Sequence, residues 1–242
     1  MANRFVSAIR QRIAKCNARF RKKDIVVLMF HEVCPISEAK DGQLSIDFSN
    51  FKAVVESIRT ERKIVRLRDI EQFNTPIAVI TFDDTYQNIF DEAVPFLISN
   101  DLPFELFVCE ELINKPGFIS ESNIKEMKNI NQCSISFHSK FHVFLSNKNK
   151  NDFLNNISSL DFEKKYGINC QFFAFPYGSF YASYSRHIKE VNTYYKYAFS
   201  TIDSSFSYGY LKKHKHFLPR VNTCGRTFRK VIKLYGRNSK EA

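Results

Sequence analysis

Two pairs of side chains in this 242-residue chain have the types and spacing to do chemistry: adjacent carboxylates at Asp83 and Asp84, and imidazoles four residues apart at His138 and His142. Adjacent carboxylates repel unless a cation or a shared proton sits between one of them and a neighbour. A metal ion is such a cation. One carboxylate with two imidazoles leaves coordination positions open for water and substrate, and that donor set suits Zn, Co, Mn or Fe. Four residues apart, the imidazoles share a helix face or meet across a short loop. Each pair alone has an ordinary explanation, since Asp-Asp is a common turn or helix cap. The His spacing also lacks the Glu of HExxH, which removes the general base of the common zinc proteases. Their joint occurrence is what points to a metal site.

The elements that must position these residues are legible as short apolar runs. Residues 25–30, 64–67, 77–82, 104–109, 133–137, 171–175 and 197–200 read as buried strands, and 48–59, 89–98, 122–130, 151–166 and 185–194 carry helical spacing between them. Repeated β, α alternation predicts an α/β fold, a distorted (β/α) barrel of about seven parallel strands in a single domain, with an open doubly wound sheet as the alternative. Several strand runs end in polar or turn residues: Phe30 precedes His31, Phe82 precedes Asp83, Phe137 precedes His138, and Phe175 precedes Pro176 and Tyr177. In a parallel barrel those ends meet at one face, where active sites of such folds are assembled. Arg220, in the segment FLPRVN near the end of the last strand-like run, is expected on the same rim as Asp83.

Composition narrows the class. The net charge of +11 is concentrated at the ends: residues 1–23 hold eight Lys or Arg and no acid, and residues 210–242 hold ten against Glu241. No zinc-finger spacing, RNP-like motif or Gly-rich phosphate loop accompanies the basic ends, so no nucleic-acid partner is expected. Six cysteines without a CxxC pair predict reduced thiols. Residues 1–23 read as a basic amphipathic helix, with Phe5, Ile9, Ile13, Cys16 and Phe20 on one face. That helix docks either on the protein's own core or on an anionic membrane surface, and its Arg-rich, acid-free character also resembles an organelle transit peptide. Residues 24–225 are expected to form the catalytic domain and residues 226–242 a basic helix or tail. Arg and Lys interrupt any secretory signal in the first 23 residues, and a cytoplasmic location is expected, peripheral to the inner face of the membrane if the helix binds lipid.

From about residue 25 to 222 the chain resembles the polysaccharide deacetylases of carbohydrate esterase family four, the group with the chitooligosaccharide-deacetylase homology region. VLMFHEV is similar to the first strand of the biofilm-polysaccharide branch, and TFDDTY with AVPFLISNDLPFELFV to the first catalytic motif, its helix and the next strand. SISFHSKFHVFLS resembles the histidine motif and FFAFPYGSF the Pro-Tyr motif. The resemblance implies a hydrolase that removes an acetyl group from an N-acetylated sugar in surface polysaccharide or lipopolysaccharide synthesis, using water activated by one divalent metal, Zn foremost. It further implies Asp83 as general base, Asp84, His138 and His142 as metal ligands, and the Tyr177 backbone N–H as the donor facing the oxyanion.

Three positions depart from the family pattern. Thr85 stands where a Gly usually follows the Asp pair, and Ala174 stands where many members place an Arg that orients the base. The late Leu-x-His motif is absent, leaving FLPRVN with His214 and His216 upstream. Arg220 is expected to replace the missing Arg, because a guanidinium can hold a carboxylate bidentately and keep it ionised. His31 is either an acid or substrate contact, or a rim histidine. Tyr181, Tyr184, Tyr194, Tyr195 and Tyr197 are read as packing residues. Two rival functions remain: a catalytically impaired glycan-binding protein on the same fold, and a metal-dependent glycosyltransferase whose Asp pair holds a nucleotide diphosphate. The basic helix generates a first prediction. The full chain pellets with anionic vesicles in a salt-sensitive way, and deleting residues 1–23 lowers that binding; unchanged binding after the deletion favours the docked helix.

Overall fold

A computed structural model of the chain describes residues 24–35, 44–183, 185 and 187–236. The amphipathic helix expected over 1–23, and Tyr184, lie outside the described residues. In chain order the strands are β1 (Ile25–Phe30), β2 (Glu32–Cys34), β3 (Ser45–Asp47), β4 (Lys63–Ile64), β5 (Ile77–Asp83), β6 (Phe104–Val108), β7 (Cys133–Phe137), β8 (Phe172–Ala174), β9 (Tyr197–Asp203) and β10 (His216–Asn222). The main sheet runs β1-β10-β9-β8-β7-β6-β5 with parallel pairing, and β1 pairs again with β5 from Ile25↔Ile77 to Phe30↔Phe82. That second pairing closes a seven-stranded parallel barrel. The two residues of β4 pair with the start of β5, and β2 with β3 forms a separate two-stranded ribbon.

The strands are apolar on both faces because both faces are covered. Along β1 and β5, Ile25, Val27, Ile77 and Val79 join Phe107, Tyr197, Phe199 and Leu218 inside the barrel. Val26, Leu28, Phe30, Ala78, Ile80 and Phe82 belong to the outer cluster beneath the helices. The helix Phe48–Glu61 shows how sequence sets such a contact. Asp47 caps it by accepting from the Asn50 N–H at 3.0 Å, and Phe51, Val54, Val55 and Ile58 form its buried stripe. Phe51 meets Phe30 edge-on at 5.0 Å. The helix Phe228–Tyr235, within the span read as a basic helix or tail, inserts Val231 and Tyr235 into the same outer cluster.

Several element boundaries differ from the sequence reading. The strand expected over 64–67 shrinks to Lys63–Ile64, and Leu67 instead opens a 3-10 turn to Gln72. The helix expected over 89–98 is broken into Asn88–Asp91 and Ala93–Ser99. Pro95 explains the break, because its ring excludes the carbonyl of Asp91 four residues back and it has no N–H to donate. The span 151–166 divides into Lys150–Ile157 and Leu160–Tyr166 at Ser158 and Ser159, residues that favour helix ends over interiors. Among the described residues of 185–194, the 3-10 turn Ile188–Glu190 and the helix Val191–Tyr194 are the helical elements. The five described cysteines are free thiols, and no described helix is long and apolar enough to cross a membrane.

One polar group inside the wall has a measurable consequence. Glu105 on β6 is buried and accepts from Ser136 Oγ on β7 at 2.6 Å. Burial pushes its carboxyl up to about 8, against the smaller opposing pull of the Ser136 hydroxyl and Arg68. A raised folded pKa means that the native state holds a proton the unfolded chain has lost, so this group's contribution to stability falls as pH rises from 4.5 through about 8. Glu105→Gln, which cannot ionise, gains on the wild type across that window by on the order of 3–5 kcal/mol. Denaturant unfolding at pH 5 and pH 9 reads the difference, and a pH-independent gap refutes it.

Candidate active site

The C-terminal ends of β1, β5, β7 and β8, with an inward side chain of β10, bring together His31, Asp83, Asp84, His138, His142, Tyr177 and Arg220, whereas His214 and His216 lie before and at the start of β10, away from them. Asp83 closes β5 and Asp84 follows it. The chain there turns sharply, with Asp84 at φ 60° and Thr85 at φ 55°, both non-glycine residues in the left-handed region. Thr85 therefore adopts a backbone conformation that glycine reaches without steric cost, at a strain of about 1–3 kcal/mol. Its N–H donates to Asp83 O at 2.6 Å, its hydroxyl to Asp84 O at 2.7 Å, and its carbonyl accepts from Ile119 N at 2.9 Å. These bonds hold the strained turn.

His138 follows β7, and His142 lies across a loop, so the helical option for their spacing does not apply. Ser139 turns that loop at φ 92°, and its hydroxyl donates to Phe141 O at 2.8 Å. Glu111 takes the His142 backbone N–H at 2.9 Å. Both imidazole Nε2 atoms converge on Asp84 Oδ1, from His138 at 3.2 Å and from His142 at 3.3 Å. On its other side His138 Nδ1 lies 2.7 Å from the carbonyl of Ala174. A carbonyl only accepts, so Nδ1 carries the hydrogen, and in the neutral ring the Nε2 lone pair faces Asp84.

That arrangement is the test of whether a cation fits. Asp84 Oδ1 is buried and receives no hydrogen bond of adequate geometry, although two ring nitrogens stand beside it. Three donor atoms, one each from Asp84, His138 and His142, lie within 4.8 Å of one another. The charges agree. Burial pushes the Asp84 carboxyl up, but His138, His31 and His142 bring it well below the usual carboxylate range. Burial pushes the His138 imidazole down, yet Asp83 and Asp84 outweigh it and leave it above its ordinary value. The same attraction that recruits a proton to this cluster recruits a divalent cation.

Asp83 is held differently. Arg220 comes from β10, whose register shifts on either side of Leu218 and whose Phe217 sits at φ 75°, an irregularity of the kind that re-aims side chains near sites. Its guanidinium is wholly buried and grips both carboxylate oxygens, Nη1 to Oδ1 at 2.6 Å and Nη2 to Oδ2 at 2.5 Å. Nε donates to Ser200 O at 3.1 Å, Nη1 reaches Thr81 Oγ1 at 3.4 Å, and the Phe107 ring lies 5.4 Å away. Burial alone would raise the Asp83 carboxyl, but Arg220, His138 and His31 hold it below the usual range, so it starts ionised. At Ala174 a buried methyl stands, and the guanidinium that pairs with Asp83 arrives from β10.

Tyr177 follows Pro176 at φ 59°, with Gly178 at φ 53°. A Cβ on Gly178 would lie 2.4 Å from the Thr201 backbone N, so only glycine fits this approach to β9. Thr201 Oγ1 and N donate to the carbonyls of Tyr177 and Gly178 at 2.9 and 3.0 Å. The Tyr177 ring lies 4.6 Å from His142. His31 follows β1, half-buried, within electrostatic reach of Asp83, Asp84, Arg220 and His138, and burial lowers its pKa more than the two carboxylates raise it. Of the tyrosines read as packing residues, Tyr195 and Tyr197 are buried, while Tyr181 is exposed near the site. Glu111, Phe141 and Phe144 were not singled out by sequence, and the carbonyl of Ala174 carries no side-chain signal at all.

The polysaccharide deacetylase family model matches residues 71–198, more than half of the chain. The chain belongs to the polysaccharide deacetylase family. No curated protein matches it in sequence. Among solved structures it is similar to IcaB from Ammonifex degensii, at 19% identity and TM-score 0.72 over 88% of this chain and 97% of that one. It is also similar to the deacetylase PplD of Streptococcus pyogenes in complex with acetate, at 17% identity and TM-score 0.74 over 88% and 98%. A de-N-acetylase from Aggregatibacter actinomycetemcomitans aligns at 16% identity and TM-score 0.69 over 87% and 99%. These likenesses establish a shared fold.

The buried pair makes a prediction about stability alone. Arg220→Met leaves Asp83 buried and unpaired and lowers unfolding free energy by about 3–5 kcal/mol. Adding Asp83→Leu removes the stranded charge, so the double variant is more stable than the Arg220→Met single variant by denaturant titration. Strictly additive losses would show that the pair is not coupled.

Proposed function

We propose that this protein is a metal-dependent hydrolase that removes the acetyl group from an N-acetylated sugar of a surface polysaccharide or lipopolysaccharide precursor. The observation that carries the reading is the division of labour between adjacent aspartates. Asp84 presents an unbonded buried oxygen between two imidazole nitrogens, while Asp83 is locked in a bidentate grip by Arg220. Family membership supports the carbohydrate amide as substrate.

Asp84, His138 and His142 are the residues that would hold the ion, and Zn is the favoured one for this donor set, with Co, Mn or Fe also compatible. A divalent ion so bound supplies Lewis acidity, lowering the pKa of a water ligand toward about 7 and polarising a carbonyl oxygen. Asp83 acts as general base. Its ionised state is held by Arg220, and each carboxylate oxygen retains a lone pair beyond the one the guanidinium occupies. The Tyr177 N–H donates to no other described residue and is assigned to the developing oxyanion, where one such donor is worth about 3 kcal/mol. Its geometry is fixed in advance by the left-handed Tyr177-Gly178 turn. His31, kept neutral by burial, serves as a hydrogen-bonding contact to substrate.

The intact Asp83–Arg220 pair argues against a purely glycan-binding role, because binding needs no positioned base. The convergence of both imidazoles on Asp84 leaves a nucleotide-diphosphate site unsupported. Release of acetate together with a free amine from an N-acetylated glycan tests the proposal, and no release from any such glycan by metal-loaded protein refutes it. The roles separate by variant. His138→Ala loses bound metal by elemental analysis, whereas Asp83→Asn keeps metal and loses most turnover; the reverse pattern means the two roles are exchanged. Arg220→Lys keeps metal yet lowers turnover about tenfold or more, roughly 1.4 kcal/mol, since an ammonium cannot reproduce the bidentate fork.

A further inference from the structure

The barrel has a second mouth. At the N-terminal ends of β7 and β8, the ends opposite the rim that carries the metal-site residues, lies a polar cavity of about 360 Å³. Strand alternation shows that it enters the barrel. Phe104, Leu106, Ile135 and Phe137 belong to the outer cluster, so Glu105, Ser134 and Ser136 turn inward, and all three line the cavity together with Phe172 of the inner cluster. The 3-10 turn Leu67–Gln72 brings Arg68 to its mouth, the end of the helix Glu121–Met127 brings Lys128, and the turn after the helix Leu160–Tyr166 brings Asn169.

Arg68 and Glu105 face this cavity within electrostatic reach of one another, yet they form no ion pair. Glu105 is only 2% exposed and makes a single side-chain hydrogen bond, from Ser136 Oγ at 2.6 Å. Its second oxygen therefore has no partner among the described residues, and neither has the Arg68 guanidinium. Buried polar groups in native structures are almost always bonded, so a carboxyl satisfied on one side and open to a donor-lined cavity on the other is completed from outside the chain.

Charge decides what completes it. Arg68 and Lys128 are the basic residues of the lining, and Glu105 is its one acid. Burial keeps Glu105 protonated at neutral pH, so its free oxygen donates a hydrogen bond where a carboxylate would repel an anion. The other titratable groups that it influences, the thiols of Cys133 and Cys170, are pushed up by burial and stay neutral. Lys128 Nζ is anchored on the carbonyl of Tyr166 at 2.9 Å and keeps two further donors. We propose that this cavity is a binding site for a small oxyanion, a phosphate or a carboxylate, held between the Arg68 guanidinium and the Glu105 carboxyl, with Lys128 and Asn169 at the mouth. Both central contacts are charge-assisted, and the guanidinium fork matches two oxygens of either anion. The site stands apart from the metal centre, and the inference does not depend on the deacetylase reading.

The test titrates inorganic phosphate and succinate into the full-length, metal-loaded protein, read by amide NMR and calorimetry. Both probes are expected to shift the amides of Ser134, Gly167 and Asn169, and Arg68→Gln weakens both by roughly tenfold or more while thermal unfolding and metal content stay unchanged. Tighter binding of phosphate points to a phosphate ester as the natural ligand and tighter binding of succinate to a carboxylate; either order supports the site. The pH arm uses succinate, which is ionised throughout. A group titrating near about 8 is protonated in roughly nine-tenths of molecules at pH 7 and one-tenth at pH 9, so the wild type binds about tenfold more weakly at pH 9. Glu105→Gln, which keeps a donor and cannot ionise, binds equally at both. Shifts confined to the amides of His138, His142 and Tyr177, or affinity that survives Arg68→Gln, place the anion elsewhere and overturn the inference. Absence of binding by both probes at millimolar concentration overturns it as well, and so does wild-type affinity that is the same at pH 7 and pH 9.

Discussion

Inside the barrel, near the rim where the strands end, a guanidinium and a carboxylate are paired and almost wholly buried, and much of the site is arranged around them. Arg220 is the largest fully buried side chain among the described residues, and its fork occupies both oxygens of Asp83. A pair this deep is not retained for stability, since desolvating two ions offsets most of their attraction. What it does supply is orientation and charge state. Asp83 cannot rotate without breaking two charge-assisted bonds, and it stays ionised in a setting that would otherwise protonate it. With Asp83 fixed, Asp84 on the next residue must point elsewhere, and the left-handed turn at Asp84 and Thr85 sends it toward the imidazoles.

Four of the seven non-glycine residues at positive φ among the described residues lie where that geometry is needed. Asp84, Thr85, Ser139 and Tyr177 all hold positive φ without being glycine, and each lies in a loop that carries a residue of the site. A β-branched residue such as Thr85 is among the least suited to that region, so its conformation depends on the bonds to Asp83, Asp84 and Ile119 that over-determine the turn. The closed barrel makes this affordable. Seven mutually paired strands with apolar side chains on both faces leave the loops little freedom to relax, and the rim residues inherit that rigidity.

The two faces of the site differ in character. Toward the barrel the groups are charged, buried and mutually satisfied, apart from the one oxygen of Asp84. Toward solvent they are aromatic and exposed, from the Tyr177 ring to Phe144 and Tyr181. Such a boundary suits a ligand with a reacting group that goes in and a larger body that stays out. The loops after β7 and β8 supply both faces at once.

The sequence by itself determined the architecture and the chemical inventory. Unbroken apolar runs such as 25–30 and 77–82 are stable only with both faces covered, which a parallel barrel provides, and an abrupt change to Asp or His at a run's end marks the rim. Those signals are local, so they survive in a linear reading. Helix ends were less legible: Pro95 split one helix and the serines at 158 and 159 another, because a single residue can veto a pattern summed over many. The residue types alone did not distinguish the two aspartates, since adjacent residues of identical chemistry differ only in the backbone around them; the family resemblance implied their separate roles, and the tertiary structure shows the geometry that sends Asp84 to the imidazoles and Asp83 to Arg220. It also decided that His138 is oriented by the carbonyl of Ala174, a backbone group every residue possesses, and that Tyr181 faces outward beside Phe144. Contacts between residues far apart in the chain depend on strand order and backbone direction, and neither is written in the identity of the residues that make them.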